Sequence, residues 1–220
     1  MCKGVLFDVD GTLLDSMKIW DELPYRYLAS FGIQGSKDLS SVVYPMTLEE
    51  SSAYLKESYG LQDSVGKIQK DILKIMEDFY RYEVQCKEGV EAFLFSLKEQ
   101  SIPMGIVSIG NSELIEAAFQ RLRIRSYFDF ILTCDVYQTS KKESLIYEIG
   151  KEKLSCSQVY VFEDVLQALQ SAKKAGCITV AVADASNEKY RKDMQECADY
   201  FIEDFTQIPS DGMGAPLSSL

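Results

Sequence analysis

The sequence predicts an α/β protein: a doubly wound parallel sheet with an all-helical segment inserted after the first strand. Three observations predict it. Residues 3–9 read as an apolar strand that runs straight into two carboxylates and a glycine. Residues 16–87 carry helical periodicity and no strand-like run of any length. From residue 89 onward short apolar runs alternate with helical stretches, the pattern of parallel strands joined by right-handed crossovers.

Each element follows from its residues. Met17 to Phe31 places Ile19, Trp20, Leu23, Tyr27, Leu28 and Phe31 at helical spacing, with Pro24 inside, so the helix kinks or restarts there. Thr47-Leu48-Glu49-Glu50 is a capping box opening a helix through Tyr59, which Gly60 stops. A third run over 64–83 spaces Val65, Ile68, Ile72, Ile75, Met76 and Phe79. The alternating part then predicts helix 89–100, strand 104–108, helix 112–122, strand 128–132, helix 143–152, strand 159–162, helix 165–175, strand 178–182 and a last strand at 199–202. The division expected is a discontinuous core of 1–15 and 88–208, a helical insert of 16–87 and a flexible Gly-, Pro- and Ser-rich tail of 209–220.

Composition narrows the chemistry. A chain of 220 residues with 46% hydrophobic content has enough core to fold without staples. A net charge of −11 argues against nucleic-acid and anionic-membrane partners, which favour basic patches. No apolar run reaches the ~18 residues that span a bilayer. The six cysteines show no metal-like pairing and the start is a strand rather than a signal peptide, so reduced thiols and a cytoplasmic location are expected. Histidine is absent, which removes imidazole zinc sites and Ser-His or Cys-His nucleophiles. Acid–base work falls to carboxylates, Lys, Tyr or Cys.

In an open parallel sheet ligands sit at the carboxyl ends of the strands. The first strand delivers Asp8 and Asp10, on one side of the chain by strand alternation, and Gly11 lets the chain turn away. Two like charges so placed need a cation or a lysine, and Mg²⁺ with a carboxylate nucleophile answers that need. The second strand delivers Ser108, which in isolation also reads as a turn or cap residue. The third leads to Lys141, with Lys142 competing for the role, and the fourth delivers Glu163 and Asp164, which read equally well as a helix cap.

These segments together resemble the haloacid dehalogenase superfamily of phosphotransferases. The run Asp8-x-Asp10-Gly11-Thr12-Leu13 carries the resemblance, and the order and spacing of Ser108, Lys141 and Glu163-Asp164 extend it over residues 3–204. The spacing from Lys141 to Ile146-Tyr147 matches the family's and favours Lys141 over Lys142. The resemblance implies a Rossmann-like core with a helical cap, closest to members related to β-phosphoglucomutase and small-molecule phosphatases. It implies that Asp8 is the nucleophile, forming an aspartyl-phosphate, and that Asp10 is the general acid/base. The Asp8 carboxylate, the Asp10 carbonyl and Asp164 would hold Mg²⁺, with Glu163 nearby through water. Ser108 and Lys141 would hold the phosphoryl group, and Gly11 and Asn111 complete the expected phosphate-binding set. Five positions depart from the family pattern: Ser140, Lys142, Ser144, Val165 and Ala168 stand where glycine, proline, proline, serine and glycine are usual.

The cap would select the substrate and exclude water. Lys18 and Trp20 are the substrate-contact candidates there, with Tyr25 and Arg26 beside them; Trp20 and Tyr25 read equally as interior residues by their spacing. Thr47 is an N-cap rather than a ligand. The β-phosphoglucomutase branch uses a cap histidine that this chain lacks. The expected activity is therefore Mg²⁺-dependent hydrolysis of a small phosphorylated metabolite, of the sugar phosphate or nucleotide class. The alternatives are a phosphohexomutase and an inert binding or regulatory member of the fold. Monomer and dimer are both compatible with the sequence.

Overall fold

The computed structural model describes residues 2–134 and 136–208, so the expected tail lies outside the described residues. The chain divides into two compact units, Met1–Ser16 with Val84–Leu220, and Met17–Glu83.

The first unit is built on a six-stranded parallel sheet. Its strands are β1 (Lys3–Phe7), β2 (Met104–Ser108), β3 (Phe130–Thr133), β4 (Gln158–Glu163), β5 (Ile178–Val182) and β6 (Tyr200–Ile202), in the spatial order β3-β2-β1-β4-β5-β6. The crossover helices are α5 (Val90–Glu99), α6 (Ser112–Arg121), α7 (Leu145–Leu154), α8 (Leu166–Lys174) and α9 (Arg191–Cys197). The sheet grows outward from β1 through β2 to β3, then returns to the far side of β1 to lay down β4. Strand order therefore reverses between β1 and β4, which open a crevice at their carboxyl ends.

Strand alternation divides β1 between two cores. Phe7 stacks on Phe162 at 5.0 Å, beside Phe93 and Phe205. Leu6 packs with Val107, Leu132, Ile146, Tyr147 and Val161. A Cβ on Gly150 would lie 2.7 Å from Leu6 Cδ1, so glycine is what lets α7 approach β1 this closely. That approach places the loop before α7 beside the carboxyl ends of the central strands.

Several elements differ from the sequence expectation. β1 stops at Phe7 rather than residue 9, because the chain turns through Gly11 at φ 82° and bridges Asp10 to Leu14. β3 begins at Phe130 because Asp129 spends its carboxylate on the Met104 amide and Phe128 is buried against Phe119. α9 was not anticipated; Met194 is its only buried residue, too weak a pattern to read. The reduced-thiol expectation fails for one pair: Cys2 and Cys156 are a disulfide, Cα–Cα 4.9 Å, because β1 and β4 lie side by side and bring together residues 154 apart.

Residues 84–87, drawn with the helical insert in the sequence reading, group with the first unit. Leu14 bridges Cys86 antiparallel, Asp15 donates its amide to Gln85, Lys87 donates its own to Leu13, and the Arg121 guanidinium donates to the Val84 carbonyl.

The second unit comprises α1 (Lys18–Ala29), α2 (Leu39–Val43), α3 (Leu48–Tyr59) and α4 (Val65–Asp78), the last ending in a π-type turn over Phe79–Glu83. α1 runs on through Pro24, whose lost rung is offset by burial of its ring on the same face as Ile19, Leu23, Tyr27 and Leu28. α3 has the expected capping box, Thr47 and Glu50 each accepting the other's amide, and ends at Gly60 with φ 65°. No helix among the described residues is long and apolar enough to cross a membrane.

Candidate active site

The crevice between β1 and β4 is where the chain concentrates charge. Asp8 follows β1 directly, and its amide continues the ladder to the Phe162 carbonyl at 3.0 Å. Glu163 closes β4 and Asp164 follows it. All three acids are buried, and each presents a carboxylate oxygen within 4.8 Å of the others. Lys141, from the loop before α7, is buried among them. Its ammonium donates to Asp8 Oδ1 and, at 2.6 Å, to Glu163 Oε1. The competing Lys142 is exposed.

The electrostatics follow from burial and imbalance. Burial opposes the Lys141 charge, but Asp8 and Glu163 together outweigh it and hold the ammonium protonated well above the usual lysine range. Burial pushes Glu163 up to about 7 against the pull of Lys141, with Asp8 adding to the rise. Asp164 is raised well above the usual carboxylate range by burial and by the charges of Asp8 and Glu163. Three acids share one lysine, and Glu163 Oε2 has no hydrogen-bond partner among the described residues. A buried donor set made of oxygen, with surplus negative charge and an unsatisfied oxygen, fits a hard divalent cation.

Asp10 is half-buried, and Ser16 donates its hydroxyl to Asp10 Oδ1 at 2.7 Å. Ser108 is buried at the end of β2, its Oγ accepting the Gly110 amide at 2.9 Å. A Cβ on Gly110 would stand 3.1 Å from Asp10 Oδ2 and 3.3 Å from Ser108 Oγ, so glycine keeps the space between those two groups open. Gly11 is buried, and its carbonyl accepts from Lys87 at 2.7 Å. Asn111 caps α6, Oδ1 accepting the amides of Glu113 and Leu114.

The helix-cap reading of Glu163-Asp164 gives way: Val165 is the N-cap of α8, and the two acids bind side chains instead. Lys18 and Trp20 lie on α1 of the second unit. Both are exposed, Trp20 by half, so it is not an interior residue. Tyr25 bonds Lys37 and Ser40, and Arg26 pairs with Glu22 and Glu83 over the Phe79 ring. These contacts lie within the second unit and account for both side chains structurally.

Sequence reasoning passed over four polar groups at the core site. Thr12 donates to Asp164 Oδ1 at 3.2 Å; Ser16 holds Asp10. Tyr147 donates to Glu163 Oε1 at 2.9 Å, and Asn187 to Asp164 Oδ2 at 2.9 Å. Thr12 and Tyr147 stood inside motifs already singled out, as a run and as a spacing landmark. Asn187 had no local signal, since only the tertiary fold joins it to an acid 23 residues earlier.

Known proteins resemble this chain along most of its length. A phosphorylated carbohydrates phosphatase of Thermotoga maritima is 27% identical over 177 residues, covering 79% of this chain and 82% of its own. A phosphoglycolate phosphatase of Synechococcus elongatus is 25% identical over 210 residues, covering 95% and 94%. A solved structure from Thermotoga maritima, of a protein provisionally named a β-phosphoglucomutase, matches with TM-score 0.81 at 23% identity and covers 92% of this chain and 94% of its own, a likeness of fold alone. The sequence profile of the haloacid dehalogenase-like hydrolases matches residues 5–182, from the first strand to the end of the fifth, and the chain belongs to that family.

Proposed function

We propose that the protein is a Mg²⁺-dependent phosphatase that hydrolyses a small phosphorylated metabolite through a phosphoryl group carried on Asp8. One observation carries the reading: three buried carboxylates meet one lysine at the reversal point of the sheet, with a carboxylate oxygen left unsatisfied. Family membership supports the reaction class, and the phosphatases among its relatives support phosphorylated carbohydrates or phosphoglycolate-like acids as the substrate class, with nucleotides as the wider range. The absence of histidine favours hydrolysis over phosphoryl return to a sugar.

Asp8, Asp164 and the Asp10 carbonyl would hold Mg²⁺, with Glu163 close by. When bound, the ion neutralises phosphoryl oxygens and removes the repulsion between Asp8 and an incoming dianion. The remaining steps belong to the chain. Asp8 attacks phosphorus in line, and Asp10 gives its proton to the departing alkoxide oxygen. Asp10 then takes a proton from water as that water attacks the phosphoryl group, which leaves as inorganic phosphate and frees Asp8. Lys141 stays cationic throughout and stabilises charge spreading over the phosphoryl oxygens, while the Ser108 hydroxyl donates to one of them. Met17–Glu83 would act as the cap, with Lys18 and Trp20 toward substrate and Asn111 and Gly11 lining the phosphate side.

The experiment is a phosphomonoester panel with Mg²⁺, covering sugar phosphates, phosphoglycolate, nucleotides and p-nitrophenyl phosphate, run on wild type and on Asp8→Asn. Release of phosphate by wild type alone is expected, with the variant's circular dichroism unchanged. Undiminished turnover by Asp8→Asn, or none by wild type on any ester, overturns the reading.

A further inference from the structure

Asp164 is fully buried, and both of its oxygens are held by donors from two separate turns. Thr12 comes from the turn after Asp10, and Asn187 from a short 3-10 helix, Ala185–Tyr190, beyond β5. A six-residue polar helix has little apolar surface to fix its own position, and this one has no buried residue. Its seat is made by Asp184. Oδ1 of Asp184 accepts the Ser186 amide at 2.9 Å and the Ser186 hydroxyl at 2.7 Å, and its carbonyl accepts the Asn187 amide at 3.0 Å. Oδ2 takes the Lys87 ammonium at 2.9 Å.

Lys87 completes a ring. Its ammonium also donates to the carbonyls of Gly11 and Ala183, both at 2.7 Å. A lysine has three protons to donate, and here they go to three acceptors. Gly11 belongs to the turn that carries Asp10 and Thr12, and Ala183 to the turn that carries Asp184 and Asn187. One cation therefore ties the two turns together, and the two turns close on Asp164 through Thr12 and Asn187.

We propose that Asn187 is a positioning residue for the Asp164 carboxylate, and that the Lys87–Asp184 pair holds Asn187 in place. The inference rests on the reading of Asp164 as a metal ligand. An amide suits the position because it donates to a carboxylate without adding charge to a site that already holds three acids. Leucine there keeps the volume but leaves Asp164 Oδ2 buried without its donor. Lys87 and Asp184 make no hydrogen bond to the three acids, so they hold the site through the turns they join, while the charge of Asp184 is also felt at Asp164.

The test is calorimetric titration of Mg²⁺ into EDTA-stripped full-length wild type, Asn187→Leu and Lys87→Met, with metal-free thermal unfolding of each. Asn187→Leu is expected to weaken the Mg²⁺ dissociation constant about 10- to 100-fold. Lys87→Met shifts it in the same direction. In p-nitrophenyl phosphate hydrolysis the Mg²⁺ concentration for half-maximal rate rises with the dissociation constant, while the rate at saturating Mg²⁺ largely returns. A residue needed only for folding would lower the unfolding temperature and leave the affinity of the folded protein alone. Where Asn187→Leu does not fold, Lys87→Met carries the test. Wild-type Mg²⁺ affinity retained by the folded variants overturns the inference and leaves the metal-site reading standing. No Mg²⁺ binding by wild type overturns both.

Discussion

Replacing Lys141 by methionine isolates what the buried lysine does. The side chain is 6% exposed and its ammonium is shared by Asp8 and Glu163, so the variant keeps the apolar stem and removes the one cation between them. Two carboxylates are then left without their counter-charge in a site that water does not reach freely. Removing one partner of a buried ion pair costs about 3–5 kcal/mol. At about 2–4 °C per kcal/mol for a chain of this size, the metal-free protein should unfold roughly 6–20 °C lower. The second half of the reasoning is the cause of the loss. If it is unpaired charge rather than lost packing, Lys141→Met/Glu163→Gln should recover much of it, because one of the two stranded charges is gone. Differential scanning calorimetry in EDTA at about pH 9, above the value of about 7 to which burial pushes Glu163, measures both variants against wild type. An unfolding temperature within 2 °C of wild type for Lys141→Met, or a double variant no more stable than the single, refutes the argument. Its Mg²⁺-loaded form should also lose about 10²–10³-fold in kcat, the range for removing a preorganised charge-stabilising donor.

Other perturbations follow from single contacts. Tyr147→Phe removes the hydroxyl that donates to Glu163 Oε1 and should cost about 1–3 kcal/mol in urea unfolding; a loss below 0.5 kcal/mol would contradict it. Gly150→Ala places a Cβ 2.7 Å from Leu6 Cδ1 and should lower stability by about 1–3 kcal/mol in the same assay, whereas a neutral effect would mean that α7 moves away freely. The carboxyl of Asp184 is held below its ordinary range: burial works the other way, but the hydrogen bonds from Lys87 and Ser186 outweigh it. A depressed folded pKa contributes stability above the unfolded value, near 3.9, and loses it as pH falls through the folded one. The unfolding-temperature gap between wild type and Asp184→Asn should therefore be widest from about pH 5 to 8 and narrow below about pH 4. A gap independent of pH would contradict that assignment.

What the sequence made legible was whatever short-range pattern encodes. The strand-helix alternation from residue 89 to 202 required only apolar periodicity, and it led to the parallel order that carries Asp8, Ser108, Glu163 and Asp164 on one edge of the sheet. Lys141 was legible only through the resemblance of its spacing to Ile146 and Tyr147 to the family's pattern, and both of those residues are buried with Leu6. Thr47 and Gly60 encode their own helix ends and were read correctly. Partnerships that only the closed fold creates were not legible. Lys87 meets Asp184 across 97 positions and Cys2 meets Cys156 across 154, and nothing near either residue records the other. Trp20 shares the interior stripe of α1 by spacing, three and four residues before the buried Leu23 and Pro24, yet it stands in the helix's first turn and half the side chain is exposed.

The central claim is that Asp8 carries the phosphoryl group. The most direct measurement mixes the Mg²⁺-loaded enzyme with p-nitrophenyl phosphate, quenches within the first turnovers, reduces with borohydride and maps the peptides by mass spectrometry. An acyl phosphate on Asp8 is reduced to the corresponding alcohol, so the account predicts that modification at Asp8, dependent on substrate and absent from Asp8→Asn. Steady turnover with Asp8 unmodified, or with the modification on Asp10, Glu163 or Asp164 instead, would contradict it.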